Sequence, residues 1–68
     1  MEANNLRKTR EALGKSKTEL AKETGIARLS YFRYETGERK PDVWTAIRIA
    51  KALDSTVEEL WSGNFTAL

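Results

Sequence analysis

Two segments with helix signals, separated by only three residues, restrict the fold of this chain more than any other feature of its sequence. The first opens with Ser16 and Glu19, the spacing of a capping box, in which each side chain accepts a hydrogen bond from the other residue's backbone N–H. Gly25 predicts its end, because glycine adopts the left-handed conformation that follows many helices. The second segment starts at about Arg28 and is predicted to end at Gly37. So short an interval forces the two helices into a sharp corner.

Caps and apolar spacing predict five short helices and no strand, over about residues 3–13, 16–24, 28–36, 43–53 and a last one after Thr56. Thr56 and Glu59 repeat the capping-box spacing, and Asp42 is placed to cap the fourth helix. The residues of the fourth helix predicted to point inward are Val43, Ala46, Ile47, Ala50 and Leu53. We expect one helical domain over residues 1–62 and a short tail over residues 63–68.

The 68 residues include no cysteine and no histidine, which excludes several classes of function. Disulfides and thiolate metal sites require cysteine, and the common zinc sites and most nucleophile–base pairs require one of these two residue types. A chain of this length also leaves little room for a substrate pocket. We therefore expect no enzyme activity, no metal, no cofactor and no small-molecule ligand.

Charge is spread unevenly along a chain whose net charge is +2 and whose pI is about 9.2. The segment from Lys15 to Lys40 holds seven basic and four acidic residues, whereas the segment from Asp54 to Leu68 holds three acidic residues and no basic one. This asymmetry fits a protein that turns its basic side toward a polyanion, and equally an ordinary solvated surface. Because no apolar run suits a signal peptide or a membrane span, we expect a soluble cytoplasmic protein without membrane partners.

The third predicted helix has two unlike faces when its residues are placed at about 100° per residue. Its outer face consists of Arg28, Leu29, Phe32 and Arg33. Its opposite face consists of Ser30, Tyr31 and Tyr34. Arginine reads guanine through two parallel hydrogen bonds, and apolar side chains contact thymine methyl groups. By composition alone, the two arginines fit a solvated helix surface better than a base-reading one. The helical corner that precedes them reverses this preference and favours base reading.

The residues around the corner follow one continuous pattern. Its first part is Ser16-x-x-Glu19-Leu20-Ala21-x-x-x-Gly25-Ile26, followed by Tyr31-x-x-Tyr34-Glu35-Thr36-Gly37-x-Arg39-x-Pro41. It continues with Ile49-Ala50-Lys51-Ala52-Leu53 and Glu58-Glu59-Leu60. The pattern resembles the phage-repressor and Cro type of helix-turn-helix domain, also called XRE-like regulators. The resemblance implies a compact all-α bundle of the lambda-repressor-like DNA-binding type, with the helix-turn-helix formed by helices 2 and 3.

This resemblance also implies roles for individual side chains. Relatives usually read bases with the residues that match Ala27, Arg28, Leu29 and Arg33, and sometimes with the residue that matches Phe32. They contact phosphates with residues that match Lys17, Thr18, Gly37, Arg39 and Lys40. In some relatives the residues that match Arg10 and Glu35 form an internal ion pair, which would leave neither of them to read DNA.

The chain departs from the family pattern at several positions. Lys17 stands where relatives often carry Gln. Ala27 stands where they often carry Ser or Thr, so the third helix lacks a capping side chain, which costs about 1 kcal/mol. Asp54 stands where glycine is common, and Tyr31 and Tyr34 replace aliphatic residues. These differences leave the fold intact and make the operator unpredictable.

Apolar residues outside the corner each allow two interpretations. Trp44 fits either a rim residue packed on the core or a contact with a partner. The residues near the acidic end fit either local packing of the last helix or a homodimer surface, and they are Val57, Trp61, Phe65 and Leu68. A symmetric dimer would place two recognition helices one DNA turn apart, about 34–36 Å.

Two functions follow from these observations. The first is a regulator of transcription that binds a pseudo-palindromic operator in double-stranded DNA as a homodimer, with the third helix in the major groove. The alternative is a protein-interaction module of the antitoxin or anti-repressor type, with Leu29, Phe32 and Trp44 as its binding surface. DNA binding weakens steeply as salt rises, whereas binding through an apolar protein interface does not.

Overall fold

The computed structural model describes residues 4–65, and the side chains of residues 4–61. Within this part the chain forms five helices and no strand: α1 (Leu6–Ala12), α2 (Lys17–Thr24), α3 (Arg28–Thr36), α4 (Val43–Ala52) and α5 (Val57–Phe65). The predicted all-α fold with five helices is thereby confirmed. None of the helices described is long and apolar enough to cross a membrane.

Hydrogen bonds from side chains fix where α2 and α4 begin. Ser16 Oγ accepts from Glu19 N at 3.0 Å and Glu19 Oε1 accepts from Ser16 N at 2.8 Å, so the first capping box is confirmed. The bond from the Ser16 backbone N–H also lowers the pKa of Glu19. Asp42 caps α4 by accepting from Thr45 N at 2.8 Å, and this bond lowers the pKa of Asp42.

At the start of α5, the Thr56 hydroxyl accepts from Glu59 N at 3.1 Å, which is one half of the second predicted box. The Glu59 carboxylate accepts from the same hydroxyl at 3.2 Å. The helix then bends at Trp61, whose φ of −120° is not helical, and runs to Phe65. It therefore includes the first residues of the predicted tail, whose last three residues lie outside the part described.

A single core forms because every helix contributes to it. Helix α2 packs against α3 and α4, α1 against α3 and α5, and α4 against α5. The largest fully buried side chains are Leu6, Leu20, Tyr31, Ile49, Leu53 and Leu60. Burying each of the aliphatic ones contributes roughly 1.5–3 kcal/mol relative to exposure, so the corner between α2 and α3 rests on packing shared by all five helices.

The inward face of α4 differs from the prediction at its first turn. Ala46, Ala50 and Leu53 are buried, but Val43 is 60% exposed, so its inward placement was wrong. Val43 is the first residue of α4, more than one turn before Arg48, whose Nη1 donates to Thr24 O at 3.1 Å at the end of α2. The buried face of α4 also includes Ile49, which is fully buried and was not predicted to point inward.

Helix α1 starts later than predicted, because two asparagines ahead of it bond to other helices. Asn4 Nδ2 donates to Tyr34 O at 2.8 Å. Asn5 donates to α5 twice, from its backbone N to Leu60 O at 2.8 Å and from its Nδ2 to Glu59 O at 2.9 Å. These bonds fix the start of the described chain against the first turn of α5 and against α3.

Candidate nucleic-acid interface

The corner between α2 and α3 is built from backbone geometry that the sequence allows at few positions. Gly25 follows α2 with φ of 71°, the left-handed conformation in which other residues are strained. Ile26 N then donates to Ala21 O at 3.0 Å, which closes the end of α2. Arg48 of α4 covers the corner from outside through its bond to Thr24 O. The corner is therefore held by three helices.

Helix α3 begins without a side-chain cap, as predicted from Ala27. Ala27, Arg28, Leu29 and Arg33 are all exposed, and Leu29 keeps 59% of its surface in contact with solvent. Two guanidinium groups thus flank an exposed apolar side chain on one face of one helix. Such a face offers bidentate donors for guanine and an apolar contact for a thymine methyl group.

Phe32 sits differently from its neighbours on the outer face (Arg28, Leu29, Phe32 and Arg33). Its side chain is half-buried and packs against the core. The Lys17 ammonium of α2 lies over its ring, 5.0 Å from the ring centroid. The predicted arrangement, with Leu29 and Phe32 both projecting into solvent, is therefore wrong for Phe32, because α2 covers one side of the ring.

The loop after α3 brings a carboxylate to the outer face. Gly37 ends the helix with φ of 80°, and Arg39 N donates to Arg33 O at 3.2 Å. This turn places Glu38 Oε2 3.6 Å from Arg33 Nε, with both side chains largely exposed. The loop residues Arg39 and Lys40 are exposed as well. The candidate interface thus combines several accessible cations with one carboxylate.

The buried face of α3 (Tyr31, Tyr34 and Glu35) anchors the helix through charge as well as packing. Arg10 Nε lies 2.6 Å from Glu35 Oε2, and Arg10 Nη2 donates to Glu35 Oε1 at 3.3 Å. Both side chains are buried, and Arg10 Nη1 also donates to Lys15 O at 2.8 Å. The hydrogen bond with Glu35 raises the pKa of Arg10, so its charge is fixed. Neither member of this pair is accessible to DNA.

The hydroxyl of Tyr31 is an exception within this buried face. It is fully enclosed, and no hydrogen-bond partner for it lies among the residues that the structure describes. Burial, followed by the adjacent Glu35 carboxylate, raises the pKa of Tyr31. A buried hydroxyl without a partner destabilises a fold, so this position is a weak point of the core.

Trp44 and the residues of the predicted dimer surface differ in how far they are buried. Trp44 is 75% exposed, so the interpretation that packs it on the core is wrong. Trp61 is only 6% exposed and belongs to the core, and Val57 is half-buried against it. The other two residues of the predicted dimer surface, Phe65 and Leu68, have side chains outside the part described.

Three contacts of the site were not predicted, and two of them join residues that are far apart in the chain. Lys17 and Phe32 are 15 positions apart, Arg48 and Thr24 are 24 apart, and Glu38 reaches Arg33 around a left-handed turn. A carboxylate close after a glycine that ends a helix is the only sequence signal among them. No group of three or more acidic side chains within residues 4–61 could hold a metal ion.

Comparison with known proteins agrees with this geometry. The family described as "Helix-turn-helix" matches residues 6–60, which covers all of α1 to α4 and the first turn of α5. The chain is 39% identical over 51 residues, 75% of its length, to the "Cryptic phage CTXphi transcriptional repressor RstR" of Vibrio cholerae serotype O1. It is 36% identical over 63 residues, 93% of its length, to the "Uncharacterized HTH-type transcriptional regulator YqaE" of Bacillus subtilis.

The matched regions cover 46% and 54% of these two relatives, so the chain spans about half the length of the relatives it matches. The family match contains the capped start of α2, the left-handed glycine at the corner and the two-faced helix α3. On these grounds the chain belongs to the helix-turn-helix family, in its phage-repressor and Cro branch.

Proposed function

We propose that this chain binds double-stranded DNA with sequence specificity and regulates transcription, with α3 lying in the major groove. The observation that carries the proposal is the outer face of α3, which presents Arg28, Leu29 and Arg33 to solvent while the opposite face is fixed in the core. A helix anchored on one side and exposed on the other is the geometry by which a recognition helix reaches base edges.

Base reading in this proposal belongs to the exposed residues at the start and middle of α3. Arg28 and Arg33 offer planar guanidinium forks for guanine O6 and N7, and Leu29 and Ala27 offer apolar contacts for thymine. Each correct bidentate pair discriminates against the wrong base by about 1–3 kcal/mol. We assign specificity to these four residues.

Phosphate contacts in this proposal come from both sides of α3. The residues involved are Lys17, Thr18, Gly37, Arg39 and Lys40. Backbone contacts of this kind set orientation on the duplex without reading sequence, and they make affinity fall as salt rises. The names of both relatives describe regulators of transcription, one of them a repressor, which supports a regulatory role here.

A homodimer on a pseudo-palindromic operator is part of the proposal. A dimer formed through α5 would use Val57, Phe65 and Leu68, because Trp61 is already buried in its own core. Symmetry would then place two copies of α3 about 34–36 Å apart, one turn of DNA. Sedimentation with and without DNA tests this part, and a monomer on DNA at high micromolar concentration would remove it.

One observation favours the second candidate function, a protein-interaction module of the antitoxin or anti-repressor type. Val43 and Trp44 are adjacent, exposed and apolar at the start of α4. Exposed apolar surface of this kind is typical of sites that meet another protein. Binding through it would be insensitive to salt, unlike binding to phosphates.

The test begins with selection of duplexes from a random pool by the wild-type protein. Arg33→Ala is then expected to relax preference at one base pair, whereas Lys17→Ala is expected to weaken binding to all duplexes by a similar factor and to reduce the salt dependence. Lys8→Ala serves as the matched control, because Lys8 is an exposed cation of α1 outside the proposed contacts. No enrichment of any duplex, or equal effects of all three variants, would contradict the proposal.

A further inference from the structure

One contact joins the N-terminal end of α2 to the middle of α3, and it pairs an ammonium group with an aromatic ring. Lys17 is the first residue of α2, and Phe32 lies in the middle of α3. The Lys17 ammonium lies 5.0 Å from the centroid of the Phe32 ring. An ammonium within about 6 Å of an aromatic face is attracted by the negative charge density of that face.

The contact between Lys17 and Phe32 differs from the ion pairs made by other basic residues, because it leaves the positive charge without a counter-charge. Lys15 lies 2.8 Å from the Glu23 carboxylate, Arg10 is paired with Glu35, and Arg33 lies 3.6 Å from Glu38. Each carboxylate offsets the positive charge beside it. An aromatic ring is neutral, so Lys17 is held in place while its full charge stays available to an anion.

The ring itself is fixed by the protein. Phe32 is half-buried and packs against the core, and Lys17 is itself half-buried. A lysine side chain is otherwise among the most mobile, and ordering it at an interface opposes binding. A ring that restrains the ammonium before DNA arrives removes part of that entropic cost.

We propose that Phe32 is a positioning residue, which holds the Lys17 ammonium at the N-terminal end of α2, where a phosphate would bind. The inference rests on the proposed binding of DNA and gives Phe32 a role other than base reading. Leu29 and the two arginines read sequence, while the ring of Phe32 prepares a contact with the backbone. The probe for this role is a double-mutant cycle between the two positions.

The cycle uses Phe32→Leu, Lys17→Gln and the double variant, measured on the selected duplex and on a mixed-sequence duplex at several salt concentrations. Phe32→Leu is expected to weaken binding to both duplexes by the same factor, about two- to five-fold. It should have almost no further effect once Lys17→Gln is present. Phe32→Tyr keeps the ring and should retain most of the affinity that Phe32→Leu loses.

A second measurement examines the contact in the free protein. The methylene protons next to the Lys17 nitrogen should resonate upfield in the NMR spectrum, because they lie over the ring, and this shift should vanish in Phe32→Leu. Urea unfolding reports whether each variant remains folded. If Phe32→Leu is unfolded, Phe32→Met provides the cycle with a side chain of closer length, and the wild-type spectrum remains decisive.

Several results would overturn the inference while leaving the proposed function intact. A changed order of duplex preference in Phe32→Leu would make Phe32 a base-reading residue. An equal loss with and without Lys17→Gln, or no upfield shift in the wild type, would show that the ring does not act through Lys17. A wild-type protein that binds no duplex would overturn the proposed function and this inference together.

Discussion

The two faces of α3 each bring an arginine to a carboxylate, with opposite consequences. On the buried face Glu35 binds Arg10 at 2.6 Å, and both side chains are buried. On the outer face Arg33 lies 3.6 Å from Glu38, and both remain largely exposed. Water screens the second pair and not the first. The buried pair therefore stabilises the position of the helix, while the exposed pair leaves Arg33 free to exchange its partner for another anion.

The largest expected effect comes from breaking the buried pair. Glu35→Ala leaves the Arg10 guanidinium buried without a counter-charge, so the free energy of unfolding should fall by about 3–5 kcal/mol. Arg33→Ala on the outer face should change it by no more than about 0.5 kcal/mol. Urea unfolding of both variants measures the difference. Similar losses in the two variants would contradict the distinction between the faces.

A second substitution on the same buried face should raise the free energy of unfolding, by less than Glu35→Ala lowers it. Tyr31→Phe removes a buried hydroxyl that lacks a partner within residues 4–65, so the free energy of unfolding should rise by about 1 kcal/mol. The pKa of Tyr31 is raised in the folded protein, whereas tyrosine in the unfolded chain ionises near pH 10.

The sign of the pH dependence follows from this raised pKa. Below about pH 10 both states are protonated, and above it only the unfolded state loses the proton, which favours unfolding. Wild-type stability should therefore fall as pH rises above about 10, and Tyr31→Phe should lack this part of the decline. Urea unfolding at neutral pH and at pH above 10 compares the two proteins, and parallel declines would contradict the assignment.

The start of α3 belongs to neither face. A substitution there should raise the free energy of unfolding by as much as Tyr31→Phe does, or by less. Ala27 has an extended backbone but no side chain to accept a bond from the first turn. Ala27→Ser supplies that acceptor, so the free energy of unfolding should rise by about 1 kcal/mol. Thermal melting checks this, with Ala27→Gly as the control that lacks a side-chain oxygen. A destabilised Ala27→Ser variant would show that serine does not cap α3 here.

The smallest effect is expected for the exposed pair of Arg33 and Glu38, and it concerns DNA affinity rather than stability. Glu38→Gln removes the carboxylate beside Arg33 and one negative charge near the proposed phosphates. We expect DNA affinity to rise by at most about five-fold at low salt, with stability almost unchanged. Titration of the selected duplex at two salt concentrations measures it. A loss of affinity would mean that Glu38 positions Arg33 for binding.

Local signals predicted the corner well, and contacts between distant segments could not be predicted. Ser16, Glu19 and Gly25 act on their own neighbours, so the start of α2 and the corner follow from spacing alone. The exposure of Val43 depends on which segments pack against the first turn of α4, which no periodicity within α4 records. The contact between Lys17 and Phe32 depends on the angle between two helices. The exposure of Trp44 likewise depends on which segments pack around it, and its own sequence context does not record this.

The bonds from Asn4 and Asn5 have a consequence for how the molecule opens. They join the first described residues to α5, more than 50 positions away, and to the last turn of α3. Because these bonds join the start of α1 to α5, local unfolding of one of these two helices removes contacts that hold the other. Amide protons of α1 and α5 should therefore exchange with solvent together, and the same opening would loosen α3, the helix proposed to bind DNA.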